Sequence, residues 1–187
     1  MLKPAFSPSG LSTEKASELI EKLQERLVGL VDLALVLKHV HWNVVGPGFM
    51  AVHEMLDDHV VGVRAMADEV AERIATLGGV PNGLAGHMTK TRDWDDYSIG
   101  RAVVPAHLAA LDKVYDGVVG DHRDAIEFAS DRDPVTEDML VGQTGKLELY
   151  QWFVRGHIQN TSGELMHDGA ETELEAAATA ATASALD

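Results

Sequence analysis

Two pairs of side chains that can bind a metal ion lie at helical spacing in the first half of the chain. His53 and Asp57 are four residues apart, and so are Asp68 and Glu72. On an α-helix each pair shares one face, with its side chains close enough to hold one ion. The pairs are fifteen residues apart, which separates them by about 22 Å along a helix axis. An antiparallel copy of the helix can bring both pairs to one ion, so the spacing predicts two identical metal sites shared between two subunits.

Acidic residues at helical spacing also occur on ordinary solvated helix faces. Asp57, Asp68 and Glu72 could form such a face, without any metal. Their common register with His53 favours the metal site, because an imidazole and a carboxylate are spaced there to share an ion.

The composition limits the ligands and partners that the chain can use. The 187 residues include no cysteine, which excludes disulfides and thiolate sites and leaves imidazole and carboxylate as metal ligands. Such ligands suit iron, manganese or zinc. The formal net charge of −15 makes nucleic acid an unfavourable partner. That charge fits a protein that handles cations and equally an ordinary acidic cytoplasmic protein.

No segment of the sequence predicts a membrane span or a secretion signal. The chain has no run of 18 apolar residues, and residues 1–10 lack the basic and apolar regions of a signal peptide. We therefore expect a cytoplasmic protein that does not associate with membranes.

The periodicity of apolar residues predicts the helices that carry the metal candidates. The first helix begins with Ser12 or Thr13 as its N-cap, and its apolar stripe continues to His41. A histidine on such a stripe is either a metal ligand or a buried, hydrogen-bonded core residue. The turn at residues 46–48 ends this helix, and the second helix runs from Phe49 to Leu77. The metal candidates on the second helix follow its apolar stripe by one residue, so they border the core face.

The rest of the chain completes an all-α bundle. We expect residues 79–98 to form a long crossover with a short helix at residues 95–98. A third helix is predicted from Ile99 or Pro105 to Ala129, and a fourth from Pro134. No period-two alternation is long enough to predict a sheet. Two helical hairpins joined by one long crossover predict a four-helix bundle.

Three parts of the chain are distinguished by composition. Residues 1–11 are predicted to form an N-terminal arm, and residues 12–163 the four-helix bundle. Residues 164–187 are acidic and rich in Ala and Thr, and we expect them to form a mobile C-terminal tail.

The other histidines give weaker signals. Glu164 and His167 form a single Glu-x-x-His pair, whereas di-iron carboxylate bundles use two, so we interpret this pair as a coincidence. His39 and His41 point about 200° apart on a helix, so they cannot chelate together, and we expect His39 to face outward. Core or surface roles are expected for the histidines without a chelating neighbour, which are His59, His87, His107, His122 and His157.

Three segments together carry a family signature. They are residues 38–46 (KHVHWNVVG), residues 49–57 (FMAVHEMLD) and residues 68–73 (DEVAER). The histidine–tryptophan pair, the second histidine twelve residues later and the carboxylates that follow resemble the Dps family of starvation-induced mini-ferritins. Residues 77–81 and 151–155 are also similar to family sequence, so the likeness covers residues 12–163.

The resemblance implies a ferritin-like four-helix bundle that assembles into a hollow homododecamer of two-fold dimers. Such a shell oxidises Fe²⁺ with peroxide or dioxygen and stores ferric mineral inside. His41, His53 and Asp57 of one subunit would share iron with Asp68 and Glu72 of its two-fold mate, in agreement with the spacing. Carboxylates favour the entry of Fe²⁺ and then stabilise Fe³⁺, imidazole adds affinity for the divalent ion, and open coordination positions admit the oxidant.

The resemblance also suggests roles for residues outside the ligand set. Lys38 and Trp42 lie where the family has residues beside the site, and they would tune it or trap oxidising equivalents. The acidic segment 121–138 approaches a three-fold axis in Dps-like shells, where Asp121 and Asp131 are expected to focus cations at an entry pore. A solvated helix end and loop is the alternative interpretation of this segment.

The terminal arms depart from the family pattern. Many Dps proteins bind DNA through mobile arms rich in Lys or Arg, but the last such residue here is Arg155. The N-terminal arm and first helical turns have Lys3 and Lys15 against Glu14 and Glu18. We therefore expect no appreciable DNA binding. The alternative to an iron-oxidising, iron-storing shell is a structural or DNA-compacting assembly without competent iron oxidation, and the intact ligand set favours the iron function.

Overall fold

Four long helices dominate the computed structural model, which describes residues 4–185. The helices in this range are α1 (Thr13–Asn43), α2 (Phe49–Thr76), α3 (Ala85–Thr91), α4 (Val104–Ser130), α5 (Pro134–Gly156) and α6 (Glu173–Ala183). Two short strands, β1 (Val44–Val45) and β2 (Ala102–Val103), pair in parallel. The predicted ferritin-like bundle with a long crossover is thus confirmed.

Local sequence signals explain where the helices of the first hairpin begin and end. The Ser12 side chain caps α1 by accepting a hydrogen bond of 3.2 Å from the Lys15 backbone N–H. Between α1 and α2, Gly48 has φ +76°, a conformation that residues with a Cβ rarely adopt. Gly78 closes α2 with φ +88°, and a Cβ there would lie 2.0 Å from the carbonyl oxygen of Phe6. Both turns therefore require glycine.

The four long helices pack as two antiparallel hairpins. α1 packs along α2 and α4 along α5, while α1 also contacts α4 and α2 contacts α5. The apolar stripes predicted from the sequence fill the space between them, with Leu23, Leu37, Leu56 and Leu147 fully buried. The α1–α4 face and the α2–α5 face are consequently opposite sides of the bundle.

The crossover differs from the prediction in two respects. Its short helix is α3 at residues 85–91, because Met88 packs into the core there, and not at residues 95–98. Residues 95–98 are not helical. Two contacts hold this part of the crossover: Trp94 Nε1 donates to Asp32 Oδ2 at 2.7 Å, and the Tyr97 hydroxyl lies 2.9 Å from His107 Nδ1. The pairing of β1 with β2 was not predicted either, because two residues are too few to show a period-two pattern.

The C-terminal segment is ordered where we expected a mobile tail. Thr172 and Glu175 form a capping box that begins α6. Ala176 and Ala180 are fully buried in the main core, where α6 packs on α4. The composition suggested mobility, but alanine side chains are small enough to let two helices approach closely. The prediction is therefore wrong for residues 173–183, while residues 1–3 of the predicted arm and 186–187 of the tail lie outside the described range.

None of the helices between residues 4 and 185 combines the length and the apolar character that a bilayer-crossing helix requires.

Candidate metal centre

The end of α1 and the beginning of α2 bring three predicted ligands together. One ligand atom each from His41, His53 and Asp57 lies within 4.8 Å of the other two. The two imidazole rings stack with 3.6 Å between their centroids. This is the one group of three or more such side chains at metal-binding distance in the part of the chain that the structure describes.

Reciprocal hydrogen bonds orient the two imidazoles. His41 Nδ1 lies 3.0 Å from the carbonyl oxygen of His53, and His53 Nδ1 lies 3.1 Å from the carbonyl oxygen of His41. A carbonyl oxygen only accepts, so each Nδ1 carries the hydrogen and each Nε2 keeps its lone pair. No hydrogen bond to either Nε2 occurs among residues 4–185. Main-chain bonds of this kind hold metal-binding histidines in the ligating tautomer.

Asp57 completes the cluster from the next turn of α2. Its side chain is 50% exposed and pairs with the ammonium group of Lys38. The hydrogen bond from Lys38 lowers the pKa of Asp57 below its ordinary 3.8, and the neighbouring His41 also lowers it. His41 Nδ1 is 3.5 Å from Asp57 Oδ1, too long for a good hydrogen bond. Lys38 thus supplies the positive charge beside this carboxylate.

Packing around the cluster fixes where the two helices meet. Val40, Val52 and Leu56 are fully buried next to the ligands in sequence. The Phe49 ring lies 5.1 Å from the His53 ring and packs at this end of the bundle. Trp42, in contrast, is 71% exposed, and its indole points away from the core.

The other predicted ligand pair lies farther along α2. Asp68 and Glu72 are exposed, whereas Val70 and Ile74 on the same turns are fully buried. The two carboxylates do not join the cluster of His41 within one chain. Their sharing of an ion with a second subunit stays a prediction.

His39 has a role that the sequence did not reveal. Its Nε2 lies 2.8 Å from the carbonyl oxygen of Ile99, and its ring contacts the edge of Tyr97 at 5.7 Å. The side chain is therefore half-buried under the crossover, and the expectation that it faces outward is wrong. The partner is 60 residues away in the chain, and no local pattern could identify it.

The two candidate pore residues are Asp121, in the C-terminal half of α4, and Asp131, the C-cap residue of the same helix. Asp121 forms an ion pair of 2.8 Å with Arg26 and its side chain is 45% exposed. Asp131 is an exposed cap residue that pairs with Arg132 at 2.5 Å. Their proposed role at a pore depends on how subunits assemble.

The Glu-x-x-His pair near the end of the bundle does not form a chelate in the structure. His167 is buried, and its Nε2 contacts Asp112 Oδ2 at 3.0 Å. Glu164 is exposed and accepts a hydrogen bond of 2.8 Å from Asn160. The two side chains therefore have different partners, which agrees with the interpretation of this pair as a coincidence.

Comparisons with known proteins identify the family and the fold. A family model described as a ferritin-like domain matches residues 20–163. A protein of Mycolicibacterium smegmatis named DNA protection during starvation protein is 54% identical over 173 residues, which is 92% of this chain and 94% of the relative.

Solved structures match over nearly the same length. Mycobacterium smegmatis Dps superposes with a TM-score of 0.88 at 53% identity, over 92% of this chain and 97% of that chain. DpsA14 from Streptomyces coelicolor has a TM-score of 0.86 at 57% identity, over 88% of this chain and 98% of that chain. The chain belongs to the Dps family of ferritin-like proteins.

Proposed function

We propose that this protein is a ferroxidase that oxidises Fe²⁺ at sites between subunits and stores the ferric product in a hollow dodecameric shell. The observation that carries the proposal is the cluster of His41, His53 and Asp57, with two free imidazole Nε2 atoms and a half-exposed carboxylate. Iron storage is plausible for a ferritin-like chain, and dodecameric assembly is typical of Dps proteins.

The second half of each site comes from a two-fold mate. Asp68 and Glu72 are exposed on the helix that also carries His53 and Asp57. An antiparallel α2 from a second subunit would place the two carboxylates opposite the histidine cluster. Each two-fold dimer then has two complete sites.

The ligand set matches the chemistry of iron turnover. Carboxylates and imidazoles bind Fe²⁺, and the hard carboxylate oxygens then favour Fe³⁺. Two Fe²⁺ ions each give one electron to one peroxide, whose O–O bond breaks as two hydroxides form. Dioxygen is the alternative oxidant. With so few protein ligands, coordination positions stay open for the oxidant and the ferric product can leave.

Lys38 regulates access to the cluster in this proposal. Its ammonium group pairs with Asp57 and therefore occupies the carboxylate that iron needs. When Fe²⁺ binds, its two positive charges replace the single charge of the Lys38 ammonium group beside Asp57. The Lys38 side chain then turns outward into solvent. Trp42, one turn later on α1, is accessible enough to trap stray oxidising equivalents.

Subunit mixing tests the shared site. Ferrous iron is added anaerobically, then peroxide or dioxygen, and ferric product is followed by ultraviolet absorbance. His41→Ala with His53→Ala should abolish rapid oxidation, as should Asp68→Ala with Glu72→Ala. Dissociating, mixing and reassembling the two inactive proteins should restore part of the activity, because hybrid dimers contain one complete site.

His87→Ala with His157→Ala is the matched control and should oxidise iron at the normal rate, because neither residue contributes a ligand atom to the cluster. Properly reassembled hybrids without any recovered activity would assign the ligands to one chain and contradict the shared site.

Iron entry is proposed to use the acidic C-terminal half of α4 and its C-cap. Asp121 and Asp131 would concentrate cations where three subunits meet. Replacing both by Asn should slow iron uptake at low ionic strength more than at high ionic strength. Uptake that is equally fast in the variant would remove the pore role.

We further propose that the protein acts in the cytoplasm and does not coat DNA. The relative from Mycolicibacterium smegmatis is named for DNA protection. Here the chain has 15 basic residues against 30 acidic ones, so protection would come from consuming Fe²⁺ and peroxide together. A gel shift of plasmid by submicromolar protein at about 0.15 M salt would contradict this and favour the alternative, a DNA-compacting or structural assembly. That alternative also predicts no catalysed oxidation of iron.

A further inference from the structure

A polar layer crosses the otherwise apolar interior of the bundle. Arg26 on α1, His122 on α4 and Gln143 on α5 are 6%, 1% and 4% exposed. Each has one buried polar atom without a hydrogen-bond partner among residues 4–185: Arg26 Nε, His122 Nε2 and Gln143 Oε1. Unpaired buried polar atoms are rare because each costs free energy, so three together require an explanation.

The remaining polar atoms of Arg26 and Gln143 determine what the unpaired ones can do. Arg26 NH1 forms an ion pair of 2.8 Å with Asp121 Oδ2, and the Nε–H of Arg26 is a free donor. Gln143 Nε2 donates to Glu69 Oε2 at 2.8 Å and to the carbonyl oxygen of Met66 at 3.3 Å, which uses both amide hydrogens. Gln143 Oε1 is consequently a free acceptor.

His122 contributes a second acceptor. Its Nδ1 lies 3.0 Å from the carbonyl oxygen of Val118, so Nδ1 carries the hydrogen. Burial and, to a lesser extent, the positive charge of Arg26 lower the pKa of His122 to about 4, so the ring is neutral at pH 7 with a lone pair on Nε2. Gln143 raises this pKa as a hydrogen-bonding neighbour of His122 would, yet neither His122 Nε2 nor Gln143 Oε1 has a partner with the distance and angle of a hydrogen bond among residues 4–185.

His122 is close enough to Arg26 and to Gln143 for both to affect its pKa, and one free donor beside two free acceptors matches a single kind of ligand. A cation would be repelled by Arg26, and an anion by the lone pairs of His122 and Gln143. A direct contact between the two acceptors would be repulsive. A water molecule donates two hydrogen bonds and accepts at least one, and a polar gap longer than a hydrogen bond is where bridging water is found.

We propose that Arg26, His122 and Gln143 bind one ordered water molecule inside the bundle. The water accepts from Arg26 Nε and donates to His122 Nε2 and Gln143 Oε1. Together with the bond from Gln143 to Glu69, it connects all four long helices through one polar layer. Its source is a groove of 520 Å³ between α1, the crossover and α4, which Arg26 and Asp121 line.

The test uses the full-length assembled protein labelled with ¹⁵N-histidine and ¹⁵N-arginine. Nitrogen chemical shifts should identify Nδ1 of His122 as protonated and Nε2 as a hydrogen-bond acceptor. A cross-peak to water should appear at the Nε–H of Arg26. A crystal structure should show one water within about 2.7–3.2 Å of all three atoms. A protonated Nε2 bonded directly to Gln143 Oε1, or a dry layer, would overturn the proposal.

Two buried glutamines on α5 provide a matched comparison of variants. Gln143→Met removes one acceptor and should eliminate both the water and its cross-peak to Arg26. Gln151→Met lies two turns along the same helix and should retain both, because Gln151 instead contacts Asp112 and Asp116. A water that keeps its full set of bonds in Gln143→Met would contradict the assigned ligands.

Arg26→Lys separates the effect of the donor from that of the charge. Lysine preserves the positive charge near Asp121 but has no Nε–H at the position of the arginine Nε. The water signal should therefore weaken or vanish. If Gln143→Met does not fold, the wild-type nitrogen shifts and the Arg26→Lys variant still decide between a bridged and a dry layer.

Discussion

The histidines at the end of the α1–α2 hairpin and those inside the bundle use the same local device for opposite results. His41 and His53 each bond a main-chain carbonyl through Nδ1, and so does His122 in the interior. Around His41 and His53, the second nitrogen has no hydrogen-bond partner among residues 4–185, and the half-exposed carboxylate of Asp57 lies within metal-binding distance of both side chains. Around His122 it is enclosed in the core, and burial lowers its pKa. A fixed tautomer therefore makes a metal ligand only where the other nitrogen can reach an ion.

A second contrast involves the two carboxylates that contact histidine. Asp57 has Lys38 as its strong partner and remains half exposed. Asp112 is buried and accepts from Gln151 at 2.9 Å, Arg155 at 2.7 Å and His167 at 3.0 Å. The lone pairs of Asp112 are largely used within the protein, whereas those of Asp57 are available to a metal ion. The number of internal partners, more than residue type, separates the candidate metal site from the structural cluster.

Replacing His41 and His53 should have the largest effect of the four changes considered, and the effect is on the rate of iron oxidation. The variant His41→Ala with His53→Ala should lower the rate of iron oxidation by at least about 100-fold, since loss of even an outer partner of a ligand costs about 10–100-fold. The rate is measured by ultraviolet absorbance after anaerobic Fe²⁺ loading. The thermal midpoint should change little, and a variant that unfolds near the normal temperature with full activity would contradict the site.

Removing the buried carboxylate should affect stability and leave the iron chemistry unchanged. Asp112→Ala should lower the free energy of unfolding by about 3 kcal/mol, the lower end for breaking a buried pair, because Arg155 is 38% exposed. Urea unfolding measures this loss. Iron oxidation per folded protein should stay normal, and a selective loss of oxidation would show that the two regions are coupled.

Lowering the pH should reduce the stability of the fold through the enclosed histidines. Burial lowers the pKa values of His59 and His122 to about 4, from 6.5 in the unfolded chain. Between these values the unfolded state binds more protons, so stability falls as the pH drops from 6.5 towards 4. By pH 5 each histidine should cost about 2 kcal/mol. Urea midpoints measured from pH 7 to pH 5 should decline less steeply in His59→Gln, and an identical slope would refute the assignment.

The smallest predicted effect concerns Lys38. Lys38→Met frees Asp57 from its ion pair, so anaerobic Fe²⁺ affinity should increase by about two- to fivefold, the scale of an exposed pair. Lys22→Met is the control, because Lys22 forms a comparable surface pair with Glu25 away from the cluster. Isothermal titration of both variants measures the difference. Weaker binding in Lys38→Met would show that the lysine supports the site and does not compete for it.

Local periodicity predicted much of this structure because helices and ligand pairs at i and i+4 are local features. The long helices, the Ser12 cap and the proximity of His53 to Asp57 all follow from spacing. The contact of His39 with Ile99 was missed because it joins residues 60 positions apart. The packing of α6 was missed because an Ala/Thr-rich composition does not reveal the groove that a helix will fill.

The two-residue sheet gives the crossover an influence on the candidate metal centre. Val44 and Val45 pair with Ala102 and Val103, and Val103 packs against the Gly46 turn between the two histidine-bearing helices. Strand β2 of the crossover therefore supports this turn. We expect residues inserted between α3 and β2 to displace β2 and so to change the angle between α1 and α2. The geometry of His41 and His53 would then change without any substitution of a ligand, so the length of this connection is itself a determinant of the centre.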